Sequence, residues 1–405
     1  MPPRAAGVRR VVVSGLGIVS PFGAGIKPFW AGLAAGASAI KPATLVETEG
    51  FRAGIAAEVP ADAVARLPAS RRRSRADRLA LAAAAEALDD ADLEARDRRA
   101  AAVVVGAVGG GMYEGEGWYW EETRSGRPSP KIRALRSILP ASHVDAVASG
   151  LGLHGPRETL VMACASGAAA IAAGADLIRA GVVDVALCGG VDTVTRICFM
   201  GFNALRLLDP EPCRPFDRDR RGMSIGEAAA FLVLEDAGRC RARGRRARAV
   251  LLGDGMTTDA YHVTAPHPEG EGMIRAMTLA LSAARLSPDA VGYVNAHGTG
   301  TPQNDRVEAL ALRRVFGEGA VLVSSTKSIV GHAMAAAGSL EAVASVLALE
   351  NELLPPTANL ALTDPDMPFD CLAREARPIA VAAALSNSFG FGGQNVSLIF
   401  GRPEN

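Results

Sequence analysis

Short apolar runs that end in glycine or polar residues alternate along this chain with longer stretches rich in alanine and leucine. The short runs read as strands buried on both faces and the long ones as helices. In the first half, strands are predicted at 11–13, 101–105, 182–187 and 231–234, with a helix at 76–88. A second helix follows the apolar run at 161–163, continues through Arg179 and stops at Gly181, a residue suited to a helix C-terminus. The second half repeats the rhythm, with strands at 249–252, 293–295 and 321–323, helices at 273–284, 306–316 and 334–349, and a glycine hairpin into 396–400. Such alternation predicts an α/β fold with a mainly parallel sheet covered by helices on both faces. The basic, polar stretch 239–248 marks a junction, so two similar halves are expected, 1–246 and 247–405, although no sequence repeat proves duplication.

One segment stands outside this rhythm. After Gly109-Gly110-Gly111 come Tyr113, Trp118, Tyr119 and Trp120, two of the three tryptophans in the chain, and then a loop-like stretch at 124–130. Aromatic clusters of this density are more often core or interface than surface, so the segment is expected to shape a substrate channel or a seam between chains.

The 405 residues suffice for a large core, and 49% hydrophobic content with 44 glycines fits a tightly packed enzyme. Formal net charge is zero, which argues against a nucleic-acid binder and leaves any attraction to an acidic partner to local patches. The six cysteines are scattered without a C-x-x-C pair, so neither a zinc module nor a disulfide framework is indicated and a reducing cytoplasm is expected. The apolar run after the basic N-terminus is too short for a signal sequence or a membrane span.

The chemistry centres on Cys164, placed where a strand turns into a helix. Unpaired N–H groups and the macrodipole at a helix N-terminus favour a thiolate, so Cys164 reads as a primed nucleophile. His297, in Asn295-Ala296-His297-Gly298-Thr299-Gly300-Thr301, and His332, in Ser324-Ser325-Thr326-Lys327-Ser328-Ile329-Val330-Gly331-His332, each follow a predicted strand. Ligands of open α/β sheets gather beyond the carboxyl ends of strands, which brings all three residues toward one place. His143 and His154 read as ordinary. Two motifs mislead. Gly15-Leu16-Gly17 has Ser20 where a dinucleotide fingerprint needs its third glycine, and Gly222-Met223-Ser224-Ile225-Gly226 matches a serine-hydrolase elbow without the preceding strand or following helix.

These motifs, with Arg214-Pro215-Phe216-Asp217, Asp259-Ala260-Tyr261-His262 and the closing Ser386-Asn387-Ser388-Phe389-Gly390-Phe391-Gly392-Gly393, resemble the β-ketoacyl-acyl-carrier-protein synthases of the elongating KAS II type, across nearly the whole chain. The resemblance implies a thiolase fold, two βαβαβαββ halves in a five-layer α-β-α-β-α arrangement, working as a homodimer or as a heterodimer with a chain-length-factor-like subunit. It implies decarboxylative condensation of an acyl group on Cys164 with malonyl-acyl-carrier protein, with His297, His332 and Lys327 catalytic and the amides of Cys164 and Phe391 as oxyanion hole. It further implies Thr299, Thr301, Val108, Phe202 and Phe389 as substrate-binding residues, with Phe391 also the gate, and Glu341 and Asp305 as supports. No metal, redox cofactor, nucleic acid or membrane is implied; substrates ride on the phosphopantetheine arm of acyl carrier protein. Docking of that acidic partner is expected at Arg71, Arg72, Arg73, Arg75, Lys131, Arg133 and Arg206.

The chain departs from primary-metabolism members at Gly300, where H-G-T-S-T is usual, and at Ala335, usually glycine. Pro302-Gln303-Asn304-Asp305 and Gly338-Ser339-Leu340-Glu341 resemble ketosynthases of type II polyketide and polyene pathways. A non-catalytic chain-length factor would lack the cysteine, and a coenzyme-A thiolase would carry a second catalytic cysteine near the C-terminal glycines.

Overall fold

A computed structural model describes residues 9–68, 73–127 and 130–403. Its principal strands are β1 (Val11–Ser20), β2 (Ala102–Gly106), β3 (Arg157–Leu160), β4 (Val185–Asp192), β5 (Ala228–Asp236), β6 (Ala249–Thr258), β7 (Tyr293–Asn295), β8 (Leu322–Ser324), β9 (Asp370–Cys371), β10 (Ala383–Gly390) and β11 (Gln394–Gly401). Its principal helices are α1 (Arg75–Ala91), α2 (Met112–Ser125), α3 (Ala141–Leu151), α4 (Ser166–Arg179), α5 (Arg196–Ala204), α6 (Glu271–Ala284), α7 (Pro302–Phe316) and α8 (Ala337–Asn351).

Among the described residues these strands join one 12-stranded sheet, which includes the two-residue strand Gly23–Ala24 paired with β1. The order is β9-β8-β7-β10-β11-β6-β1-β5-β4-β2-β3. The first half runs β3-β2-β4-β5-β1 from its outer end, and inside the terminal β9 the second half runs β8-β7-β10-β11-β6, the same order with the fourth strand of each row antiparallel. The halves meet where β1 and β6 pair antiparallel, Val12 opposite Val250. The sheet is therefore mixed, which corrects the expectation of a mainly parallel one. Phe231 to Leu234 belong to β5, antiparallel to both its neighbours, because β4 connects to it by a return instead of a helical crossover.

Alternation along the strands sorts the core into layers. On β5, Ala230 and Leu232 point into a central core with α4 and α8, whereas Phe231 and Val233 point outward beneath α1 and α3. In the second half Leu398 and Phe400 join the central core, while Leu385 and Ile399 pack outward beneath α6 and α7. The result is helix, sheet, helix, sheet, helix. Helix α8 is buried almost all round, which is why its apolar residues show no single face.

The glycines of Gly15-Leu16-Gly17 serve this layering. A β-carbon on Gly15 or Gly17 would come within 2.2 or 2.0 Å of the α1 carbonyls of Ala87 and Ala83. Gly253 and Gly255 repeat the arrangement in the second half, against Ala280 and Ala276 of α6. Both pairs let a helix lie directly on the first strand of its half.

Candidate active site

The three candidate residues converge in one cavity of about 210 Å³, lined by Cys164, His297 and His332 together with Phe202, Phe389 and Phe391. Thr299 and Thr301 also line it, their hydroxyl oxygens 2.8 Å apart.

Cys164 sits in a strained turn between β3 and α4. Ala163 before it adopts a left-handed φ of 46°, rare for a residue with a side chain. Ser166 fixes the turn by donating to the Ala163 carbonyl at 2.7 Å and accepting from the Met162 N–H at 2.8 Å. The sulfur lies just ahead of α4, with the Phe391 N–H near enough to favour its charged form. Burial nevertheless pushes the thiol up to about 12, opposed by Lys327 and by that N–H. The expected helix-end position is found, but the resting residue is a protonated thiol: loss of water outweighs the helix terminus.

The histidines stand edge to face, ring centroids 5.4 Å apart. The N–H groups of His297 and Gly298 both donate to the Glu308 carboxylate, each at 2.8 Å, from α7. His332 is held by its main chain, donating to the Ser224 carbonyl at 2.7 Å and accepting from Gly226 at 2.9 Å. Burial, with Lys327 nearby, drives both imidazoles well below their ordinary value, so both are neutral.

Lys327 ties the site together. Its Nζ, fully buried, donates to the His297 carbonyl at 2.6 Å and to Glu341, and lies 3.3 Å from His297 Nδ1. An ammonium has donors only, so Nδ1 must accept and the imidazole proton must sit on Nε2. Burial raises Glu341 to about 7, against the pull of Lys327. Asp305 accepts the N–H groups of Phe216 and Gly300 at 2.9 and 3.2 Å. Gly300 itself has φ +84°, and a β-carbon there would stand 2.7 Å from the Gly222 carbonyl, so this backbone favours glycine over the usual serine.

Some expected residues lie elsewhere. Val108 is half-buried in the turn after β2 and is not among the cavity-lining residues. Arg71 and Arg72, and the side chains of Lys131 and Arg133, lie outside the described residues. Arg75 is not a free docking charge: it forms a buried ion pair with Glu227 and also donates to the Val59 carbonyl, because its position at the start of α1 faces inward. Arg206 is exposed beyond α5. Of the aromatic segment, now helix α2, Tyr119 and Trp120 are exposed in this single chain and none lines the cavity. Ser224 of the hydrolase-like motif is buried, its hydroxyl accepting from the Cys213 N–H.

Two carboxylates escaped the sequence reading. Glu308 had a signal, lying three residues after Asp305 on one face of a helix that opens from the Thr299–Thr301 turn. Asp192, at the carboxyl end of β4, accepts N–H groups from Gly109, Gly110 and Ala335, tying the turn after β2 to the turn after His332.

The arrangement matches known proteins throughout its length. The N-terminal domain of beta-ketoacyl synthase matches residues 8–256 and the C-terminal domain residues 248–361. The chain belongs to the beta-ketoacyl synthase family. This ketosynthase is 37% identical over 408 residues to the 3-oxoacyl-[acyl-carrier-protein] synthase 2 of Synechocystis sp., covering 97% of this chain and 98% of the relative. In structure it is similar to the ishigamide ketosynthase/chain length factor, with TM-score 0.93 and 38% identity over 98% of this chain and 100% of that one. It is also similar to a type II PKS ketosynthase in complex with its acyl-carrier protein, with TM-score 0.90 and 30% identity over the same shares. The ketosynthase has the thiolase-type α/β fold, and it is an acyltransferase.

Proposed function

We propose that this ketosynthase condenses an acyl group held on Cys164 with a malonyl unit, both delivered by acyl carrier protein, to give a β-ketoacyl product. The observation that carries this reading is the grouping of a buried thiol with two neutral imidazoles in one cavity, one of them tautomerically fixed by Lys327.

Attack of the Cys164 sulfur on the acyl thioester forms a new thioester. The carrier thiol departs with the proton that the cysteine gives up, and the oxyanion is held by the N–H groups of Cys164 and Phe391. In the malonyl unit the bond to the carboxylate then breaks. Carbon dioxide leaves, and the electron pair becomes an enolate whose oxygen takes hydrogen bonds from His297 and His332. Neutral imidazoles suit this task because each keeps a proton to donate. The enolate carbon attacks the acyl carbonyl, a carbon–carbon bond forms, and the Cys164 sulfur leaves and regains a proton. Thr299 and Thr301 hold the pantetheine arm, Phe202 and Phe389 wall the acyl end, and Phe391 gates it; Val108, which lies off this cavity, has no part in it.

A second chain of the same fold is the proposed partner in the assembly. β3 is an edge strand, and Tyr119, Trp120, Ile132, Ile197 and Met200 present an exposed apolar surface on α2, α5 and the segment between them. The partner is an identical chain or a chain-length-factor-like subunit; the resemblance of Pro302 to Asp305 to polyketide and polyene ketosynthases favours the second. Cys164 marks this chain as the catalytic subunit. Among the described residues no helix is long and apolar enough to cross a membrane; a cytoplasmic location and a division between halves at 246/247 are part of the proposal. Incubation with acyl- and malonyl-carrier protein should yield a carrier-bound product longer by two carbons and bearing a ketone; carbon dioxide release without that product would refute the condensation.

A further inference from the structure

Helix α5 carries Phe202, whose ring packs on that of Phe391 at 5.8 Å on the wall of the cavity that contains Cys164. A helix begins with N–H groups that its own backbone leaves unpaired. In α5 the third of these, from Cys198, is directed to the Thr195 hydroxyl. The first two, from Arg196 and Ile197, donate to the two carboxylate oxygens of Glu116, each at 2.8 Å. Glu116 does not belong to α5. It stands on α2, the helix of the aromatic segment, and a second contact reinforces the link: the Arg196 guanidinium lies 5.6 Å from the Trp120 ring centroid. At its other end α5 is tied by Asn203, which accepts from the Ala53 N–H at 3.0 Å. The gate-side helix is thus suspended between two fixed points, one of them a carboxylate whose charge complements the helix N-terminus.

We propose that Glu116 is a positioning residue for acyl-chain selection: its grip on the first turn of α5 fixes Phe202 and thereby the width of the cavity beside Cys164. The proposal rests on the ketosynthase reading above. Glu116 touches no cavity-lining atom directly and acts through the helix. Loosening the grip lets Phe202 withdraw, so longer acyl chains gain access relative to short ones.

The test measures transfer from a series of saturated acyl-pantetheine thioesters of increasing length onto the full chain, read as intact-mass increase. Glu116→Gln keeps the size of the side chain but offers a single acceptor oxygen, and should raise the long-to-short acylation ratio about threefold to tenfold, the factor that one net hydrogen bond supports. In a Phe202→Ala background the same change should have no further effect, because the residue through which Glu116 acts is gone. Should Glu116→Gln fold poorly, Arg196→Pro removes one of the two N–H donors at a position where a helix accepts proline, and should shift the ratio in the same direction. An unchanged ratio in whichever of these variants folds, or an effect that adds in full to that of Phe202→Ala, overturns the proposal. A wild-type protein that accepts no acyl group from any thioester would instead overturn the ketosynthase reading itself.

Discussion

Lys327 Nζ lies 2.6 Å from the main-chain oxygen of His297 and 3.3 Å from its Nδ1, so one ammonium fixes both the backbone and the tautomer of a candidate catalytic imidazole. Replacing it with an uncharged side chain frees His297 to place its proton on the wrong nitrogen. Lys327→Met should therefore lower malonyl decarboxylation, measured as carbon dioxide release, by about 10²-fold, the scale of one lost preorganised donor. Acylation of Cys164, which needs neither imidazole as an enolate donor, should fall much less. Equal losses in the two steps would mean that Lys327 holds the fold alone.

The pH dependence of decarboxylation follows from the histidines. Both lie well below the ordinary imidazole value of 6.5, because burial and Lys327 disfavour their charged forms. A depressed group takes up its proton only at a lower pH than a free imidazole. The donors therefore stay neutral as pH falls through 6.5, and the acidic limb of the decarboxylation profile should lie below that value. A profile that loses half its rate near 6.5 would contradict the assigned burial.

Arg75 gives a contrasting prediction. Its partner Glu227 is fully buried and also accepts the Val59 N–H at 2.8 Å. Removing the arginine strands a buried carboxylate, a change that typically costs about 3–5 kcal/mol. Arg75→Ala should lower the denaturation midpoint strongly and reduce activity alike on carrier-bound and small pantetheine thioesters. Loss confined to the carrier-bound substrate would restore Arg75 to the docking surface.

Much of this architecture is legible in the chain because its signals are local. Tyr293 to Asn295 are found as a strand with the predicted bounds, and the glycine-flanked motifs bring Cys164, His297 and His332 into one cavity. What the sequence hides is set by contacts distant in the chain. The antiparallel direction of β5 depends on which strands flank it, not on its own apolar run. Arg75 looks like one more member of an exposed arginine cluster until the fold brings Glu227, 152 residues away, against it. Helical α2 hides for a different reason: glycines at 115 and 117 and four aromatics dilute its helical pattern, and its hold on α5 comes from tertiary pairing. Cys164 is instructive in another way. Its sequence context correctly indicates a helix terminus, but only the packed cavity reveals that burial pushes the thiol up to about 12.

That thiol is where the account is most exposed. Wild-type protein incubated with an acyl-carrier protein bearing a suitable chain should gain the mass of one acyl group, located by peptide mapping on Cys164. Cys164→Ala should gain none, yet still release carbon dioxide from malonyl-carrier protein through His297 and His332. Acyl transfer persisting in Cys164→Ala, or mapping to another residue in the wild type, would contradict the assignment of Cys164 as the nucleophile.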